Sequence, residues 1–320
     1  MAQVQTVGAD SLRNRAILSL TMRKWGNRRT MSKDSIVLAK LGDQTEQIDS
    51  ENKSEISMSK KLIRSKEYQK VLAYQTQLYL DLTNIKTGFV LPCFKDGFYF
   101  VPDEFIDKVD ARIQEGIFGL SELVERLCVV YPDQHEVAKV RLERDGLYVE
   151  SDFPTVEELK GKFSIDYNFF RFEVSENLPA EMRKVELEKL EKSFDASRDI
   201  VTNALTEGFS ELLGGLTSKL TQKAGTEKLI FRDSLFEDLC TFMGTFQAKN
   251  LGNDEKLNKL VEQANGIFAQ ITGGSAQGKA QVLRDSEQLR VETKAAFTSL
   301  KVAVDQSLIE RPSRRFSFSE

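Results

Sequence analysis

Residues 179–220, PAEMRKVELEKLEKSFDASRDIVTNALTEGFSELLGGLTSKL, decide the fold class. Apolar residues recur along them at helical spacing, most often every fourth position, while Glu and Lys fill the positions between. Pro179 suits the first turn of a helix, and a helix of this length would extend about 60 Å at about 1.5 Å per residue. Gly214-Gly215 is the one point at which we expect a kink or an end. The stretch predicts a long amphipathic helix with its apolar positions at Val185, Leu190, Phe194, Val201, Leu205, Phe209, Leu212, Leu216 and Leu220.

Further helices are predicted on both sides of this one. A helical apolar pattern runs from about Ile56 to Gly88, and another begins after Pro102-Asp103 and is expected to end before Pro132. Thr155 and Glu158 have the form of a capping box for a short helix. Three more helices are predicted in the C-terminal part of the chain, at 227–249, 254–271 and 279–309.

Short strands are predicted at scattered points. Residues 16–24, AILSLTMRK, alternate between apolar and polar side chains, which is typical of a half-buried strand. FVLPCFKDGFYFVP, residues 89–102, predicts a hairpin that turns at Asp96-Gly97, with Pro92 confined to an edge strand. SIDYNFFRFEVSE, residues 164–176, predicts another strand. We therefore expect a mainly α (α+β) fold, in which a long-helix bundle or coiled-coil arm accompanies a small antiparallel sheet.

The same patterns predict three consecutive parts of the chain. Residues 1–176 are expected to form a mixed α+β domain and residues 177–311 a long-helix bundle or arm. Residues 312–320 are expected to form a C-terminal strand that returns to the small sheet. Within the first part, GDQTEQIDSENKSE at 42–55 has almost nothing to bury and predicts a flexible loop.

Length and composition exclude several classes of protein. No apolar run in the 320 residues approaches the roughly 18 needed to cross a bilayer. The N-terminal residues also lack the apolar core of a secretory signal. Cys93, Cys128 and Cys240 are odd in number and far apart, which indicates free thiols in a reducing compartment. We therefore expect a cytoplasmic protein without a membrane span.

Catalytic and cofactor chemistry finds little support in the sequence. His135 is the only histidine and is expected at the surface, so a metal site or a catalytic triad has no second imidazole. GGSAQGKA, residues 273–280, is close to a phosphate-binding loop, but Ala280 stands where a Mg²⁺-binding Ser or Thr is required. We interpret it as a linker between helices. The sequence thus predicts no enzymatic activity, no cofactor, and no catalytic or metal site.

The strongest positive feature is TMRKWGNRRT, residues 21–30, which places the only tryptophan among four cations. Residues 11–33 carry seven basic side chains and no acid, and residues 311–319 carry three more, although the net charge is −4. Aromatic and guanidinium groups together suit base stacking and phosphate contact, and protein interfaces favour them as well. The candidate partner-binding residues are Arg23, Lys24, Trp25, Arg28, Arg29, Arg314 and Arg315.

Three interpretations of these basic residues stay open at the level of sequence. They can pair with acidic helices of the same chain, contact a protein partner, or bind nucleic acid. We favour protein contacts, within or between chains.

Five stretches carry a family resemblance: SLTMRKWGNRRT, FYFVPDEFIDKVDA, FRDSLFEDLCTFMGTFQAKNL, LRDSEQLR and RPSRRF, which follow one another over most of the chain. With them the chain resembles an uncharacterised family of phage and bacterial proteins, a domain of unknown function. Genes of that family tend to lie beside those of a MoxR-type AAA+ ATPase and of a protein with a von Willebrand factor A (VWA) domain. The resemblance carries no catalytic residues over to this chain.

Two functional hypotheses result. The resemblance implies a non-enzymatic interaction or scaffold protein, an adaptor or client of the AAA+ ATPase and VWA system in a bacterial cell or a phage-infected host. Its partner would be the ATPase, the VWA protein or a second copy of the chain. The alternative is a nucleic-acid-binding protein that uses the N-terminal patch and the C-terminal tail, with binding that weakens steeply as salt rises.

Overall fold

The computed structural model describes residues 15–30, 59–220 and 233–309. In these residues there are eight α-helices and six short strands, which confirms the predicted mainly α fold with a small antiparallel sheet. The strands are Ala16–Arg23 (β1), Arg28–Thr30 (β2), Ser59–Lys61 (β3), Leu91–Pro92 (β4), Phe98–Val101 (β5) and Ser164–Phe170 (β6). The helices are Lys66–Thr83 (α1), Ile106–Arg144 (α2), Val156–Gly161 (α3), Ala180–Lys219 (α4), Ser234–Lys249 (α5), Glu255–Gln270 (α6), Ala276–Asp285 (α7) and Glu287–Ile309 (α8).

The strands form two separate sheets. One has four strands in the order β4-β5-β1-β6, and β5 is antiparallel to both β1 and β4. The predicted hairpin is therefore present, and Pro92 lies in the edge strand β4, where its missing N–H disturbs no ladder. The other sheet is a two-stranded antiparallel ribbon of β2 and β3.

The contacts divide the chain into two units that interleave along the sequence. The helical unit consists of Met1–Ser19, Leu80–Val109 and Asn168–Glu320, and the ribbon unit of Leu20–Tyr79 and Asp110–Tyr167. The sequence suggested consecutive parts with a boundary near 176. The loop predicted at 42–55 and the strand predicted at 312–320 lie outside the described residues.

The core of the helical unit is built on α4. This helix packs chiefly on α8 and also on α5, and its buried residues include Phe194, Val201 and Phe209. The Phe209 ring stacks on Phe242 of α5, with ring centroids 5.3 Å apart. Gly214-Gly215 does not end α4, which continues to Lys219, and buried leucines on both sides of the pair hold the helix in the core. By contrast, none of the first fourteen residues, 180–193, is fully buried, although Leu190 packs partly against the core.

Helix α2 continues through Pro132 to Arg144, so the expectation that it ends before this proline is wrong. A proline inside a helix removes one backbone hydrogen bond and costs about 3 kcal/mol. The packing of the next turns offsets that cost, since Tyr131, Ala138 and Leu142 are all buried in the ribbon unit. The Tyr131 hydroxyl also donates to the carbonyl oxygen of Pro154 at 2.9 Å.

Two other predicted helices differ in extent from their sequence patterns. The pattern that starts near Ile56 contains the strand β3, and the helix α1 begins only after Ser65, whose Oγ accepts from the backbone N–H of Tyr68. The pattern at 279–309 is two helices, α7 and α8, because Ser286 adopts an extended backbone between them. The Ser286 Oγ then accepts from the N–H of Leu289 and caps α8.

Candidate functional site

Trp25 lies inside the ribbon unit and is only 1% exposed. Its ring meets those of Tyr68 and Tyr131 edge to face, with centroids 5.7 Å and 5.9 Å away. The Tyr68 hydroxyl donates to the Trp25 carbonyl oxygen at 2.7 Å. Strand β1 ends at Arg23, so the alternation that would have turned the indole outward does not reach it. We therefore leave Trp25 out of the candidate surface.

Asn27 ties the turn after Trp25 to the start of α1. Its side-chain amide donates to the carbonyl oxygen of Ile63 at 2.9 Å, and its Oδ1 accepts from the N–H of Ile63 at 2.8 Å. Its own carbonyl oxygen accepts from the N–H of Leu62 at 3.1 Å. The side-chain amide of Asn27 thus makes the two hydrogen bonds with the backbone of Ile63 that a paired strand residue would make with its main chain. These bonds bring WGNRRT beside SKKLI.

The ribbon of β2 and β3 places basic residues directly opposite one another. Arg28 faces Lys61 and Arg29 faces Lys60, while Thr30 faces Ser59. Because side chains alternate along a strand, Arg28, Thr30, Ser59 and Lys61 share one face, which we call the outer face. All four are exposed. Like charges directly opposite each other destabilise a strand pair. A nearby negative charge would therefore stabilise each of these basic pairs.

On the inner face, which carries Arg29 and Lys60, Asp152 supplies that counter-charge. Its carboxylate lies 2.6 Å from Lys60 Nζ and 3.8 Å from Arg29 Nε. Lys60 is buried and also donates to the carbonyl oxygen of Leu147 at 2.6 Å. The intramolecular interpretation therefore holds for Arg29.

On the outer face, Arg28 and Lys61 have no acidic partner among the residues that the structure describes. Arg141 of α2 adds a third cation nearby, because its Nη2 donates to the carbonyl oxygen of Lys61 at 2.8 Å. Burial lowers the pKa of Arg141 and the neighbouring charge of Arg64 lowers it further, while the carboxylate of Asp145 acts in the opposite direction. Four cations and two hydroxyls thus lie on or beside the outer face.

The remaining candidate partner-binding residues do not belong to the outer face. Arg23 Nε lies 3.6 Å from Asp166 Oδ2, and both side chains are more than half exposed, so this pair contributes little to stability. Lys24 is exposed just beyond β1. Arg314 and Arg315 lie outside the described residues.

Half of this surface comes from residues that were not predicted from the sequence. SKKLIRSK, residues 59–66, carries four cations and no acid, as does TMRKWGNRRT, and the two stretches meet in the ribbon. The absence of acidic residues from SKKLIRSK was a signal that could have identified it as part of a basic surface. It went unnoticed because the stretch leads into the apolar pattern of α1.

Replacing Asp152 with Asn is expected to lower the free energy of unfolding by about 2 kcal/mol. The change keeps the shape of the side chain but leaves Lys60 buried, charged and opposite Arg29. Urea denaturation followed by circular dichroism measures the loss. Asp133→Asn, at an exposed acid of α2, is the control and should stay within about 0.5 kcal/mol of the parent. Equal stability of the two variants would show that Asp152 does not neutralise the inner face.

His135 is partly buried, which corrects the expectation of a surface position. Its ring stacks on Phe153 at 4.4 Å between centroids, and its Nε2 lies 3.0 Å from the Tyr148 hydroxyl oxygen. The Tyr148 hydroxyl in turn donates to the Glu150 carboxylate at 2.5 Å. The imidazole is thus part of an aromatic cluster in the ribbon unit. Within the described ranges, no group of His, Cys, Asp and Glu is arranged to hold a metal ion.

GGSAQGKA forms the turn between α6 and α7. Lys279 Nζ donates to the carbonyl oxygens of Phe268 and Ile271, which end α6, so this lysine caps a helix. Ser275 Oγ accepts from the N–H of Gly278 and caps the start of α7. The groups that would cradle a phosphate in a nucleotide-binding loop are used here in helix termini.

Comparisons of the chain with protein-family models, curated proteins and solved structures gave no match. The family resemblance noted in the sequence therefore stays an expectation. Among the helices of the described residues, none combines the length and the apolar character needed to cross a membrane.

Proposed function

We propose that this chain is a non-enzymatic binding protein that holds nucleic acid by its phosphates, through the outer face of the ribbon. The observation that carries the proposal is the pair of Arg28 and Lys61, directly opposite each other, exposed, and without an acidic partner among the described residues. A phosphate between them would supply the missing counter-charge. The exposed hydroxyls of Thr30 and Ser59 add the polar contacts that proteins commonly make to phosphate oxygens.

The composition of the outer face favours phosphates over an acidic protein. Protein interfaces are enriched in aromatic residues, Met and Arg and depleted in Lys and Ser, and their binding energy is concentrated in a few Trp, Tyr and Arg side chains packed at the centre. The outer face presents only cations and hydroxyls, and Trp25, the aromatic residue nearest in sequence, is buried. Charge and hydrogen bonding are therefore the interactions that this face offers.

The double variant Arg28→Ala/Lys61→Ala is expected to weaken binding of a short fluorescein-labelled DNA duplex by about 10- to 100-fold. Each phosphate contact that is lost should also reduce the slope of log affinity against log salt by about 1. Fluorescence anisotropy titrations over a range of salt concentrations measure both quantities.

The matched control is Arg126→Ala/Lys162→Ala. It removes one arginine and one lysine that are exposed in the same unit and belong to α2 and to the end of α3, not to the ribbon strands. This control should keep the parental affinity to within about twofold. Equal losses in the two double variants would indicate a diffuse effect of net charge. Absence of duplex binding by the parent protein would overturn the proposal.

The adaptor role beside a MoxR-type ATPase and a VWA protein stays a prediction from the resemblance. It is tested by co-purification of either protein with this chain. The unbridged thiols of Cys93, Cys128 and Cys240 support the proposal that the protein acts in a reducing compartment such as the cytoplasm.

A further inference from the structure

We infer that the nucleic acid bound by the ribbon is a duplex, held by the regular spacing of its phosphates and not by stacking of its bases. This inference rests on the proposed function and names the form of nucleic acid that the same face recognises.

The described residues of the ribbon expose no aromatic side chain. Proteins that bind single strands without sequence preference combine cations with exposed rings on which the bases stack. In residues 20–30 and 59–66, which supply the ribbon, the only aromatic residue is Trp25. It is 1% exposed, and the two rings that it meets, Tyr68 and Tyr131, are 7% and 2% exposed. The cations of the ribbon could contact the phosphates of a single strand, but the ribbon has no exposed ring among its described residues on which the bases could stack.

The ribbon backbone sets the spacing of the outer-face residues. Directly opposite side chains have Cβ atoms about 5 Å apart, and successive side chains on one face of a strand are about 7 Å apart. The ribbon backbone is held by the two amide hydrogen bonds of Asn27 and, on its inner face, by the Lys60–Asp152 ion pair. A backbone held in this way keeps the Cβ atoms of Arg28 and Lys61 at a fixed spacing, from which their long, exposed side chains can reach the regularly spaced phosphates of a duplex.

The charge density of the nucleic acid also favours a duplex. Duplex DNA carries one negative charge per about 1.7 Å of its axis, whereas each strand carries one per about 3.4 Å. The same number of phosphate contacts therefore releases more counterions from a duplex, with a salt slope of about −0.9 per contact against about −0.7 for a single strand. A face that works by charge alone gains more from the duplex.

The test compares a labelled duplex with one of its own strands, chosen to lack self-complementarity, at equal length and salt. The duplex is expected to bind at least about 10-fold more tightly and with the steeper salt slope. The tryptophan emission of the protein is a second measurement, since Trp25 is the only source. Emission should stay unquenched when either nucleic acid binds, because stacking requires an exposed indole.

Three results would overturn the inference. Equal or tighter binding of the single strand, with quenching of Trp25, would show a stacking site and leave the proposed function in place. Tighter duplex binding that Arg28→Ala/Lys61→Ala does not reduce would locate the duplex elsewhere, with circular dichroism showing that the variant is folded. No binding of either form by the parent protein would remove the proposed function together with this inference.

Discussion

Replacing Gly278 with Ala is expected to lower the free energy of unfolding by about 3 kcal/mol. A Cβ at this position of α7 would lie 1.9 Å from the carbonyl oxygen of Gly273 and 2.9 Å from its carbonyl carbon. Both are backbone atoms, so no side-chain rotation relieves the clash and the turn itself has to move. Gly273 has φ +126°, a conformation that side chains rarely adopt, which explains why this position of the turn is itself a glycine. Overpacking costs typically about 1–3 kcal/mol, and two contacts this short with backbone atoms put Gly278 at the upper end.

Gly266→Ala is the matched control for this substitution. Gly266 lies in α6, and a Cβ there would meet nothing within 4 Å. Alanine should raise the stability by about 0.5–1 kcal/mol, because it restricts the unfolded chain and favours the helix. Urea denaturation followed by circular dichroism compares both variants with the parent. If Gly278→Ala were as stable as Gly266→Ala, the close contact between α7 and its preceding turn would be refuted. The expected result would show that Gly273 and Gly278 of GGSAQGKA are required for the close packing of α7 against its preceding turn.

Replacing Lys249 with Met is expected to raise the free energy of unfolding by about 2 kcal/mol at neutral pH. Lys249 ends α5 with 0% of its surface exposed, and its Nζ makes one long hydrogen bond, 3.3 Å, to the carbonyl oxygen of Ile85. Burial lowers the pKa of this ammonium from 10.5 to about 8. At neutral pH the charged form is present in the folded state at a cost of a few kcal/mol. Methionine fills a similar volume without a charge.

The pH dependence of this effect has a definite sign. Between pH 8 and 10.5 the unfolded chain keeps the proton of Lys249 while the folded protein has lost it. Stability of the parent should therefore rise with pH across this window, and the contribution should be absent from Lys249→Met. Tyrosines and cysteines also titrate there, so the contribution of Lys249 is the difference between the two stability profiles.

Lys259→Met is the control, because Lys259 is exposed on α6. It should leave stability within about 0.5 kcal/mol of the parent and keep the parental pH profile. A Lys249→Met variant that is less stable than the parent at neutral pH would show that the ammonium is well solvated or paired. Parallel profiles for parent and variant would lead to the same conclusion.

Features set by neighbouring residues could be predicted from the sequence. The helix after Pro179 is present as Ala180–Lys219, because its apolar period persists over ten turns. Thr155 and Glu158 form the expected capping box, in which each side chain bonds the other residue's backbone. The hairpin of β4 and β5 also follows from a local signal, two apolar runs around Asp96-Gly97.

Features set by distant residues could not be predicted in this way. The pairing of Arg28 with Lys61 joins stretches more than thirty positions apart, and the amide of Asn27 that aligns them has no periodic signature. Burial of Trp25 depends on Tyr68 and Tyr131, which come from two different helices. The sequence therefore identified the cations of β2 but neither their partners on β3 nor the counter-charge of Asp152.

The interleaving of the two units has a consequence for biosynthesis. Both segments of the ribbon unit have been made once residue 167 has been added, so that unit can fold while the rest is still being translated. The helical unit cannot complete its core at that stage, because α4 packs chiefly on α8, the last helix of the described residues. Until Phe297 and Val304 emerge from the ribosome, Phe194 and Phe209 lack part of their packing partners. The apolar face of α4 is therefore the surface of the nascent chain most in need of a chaperone.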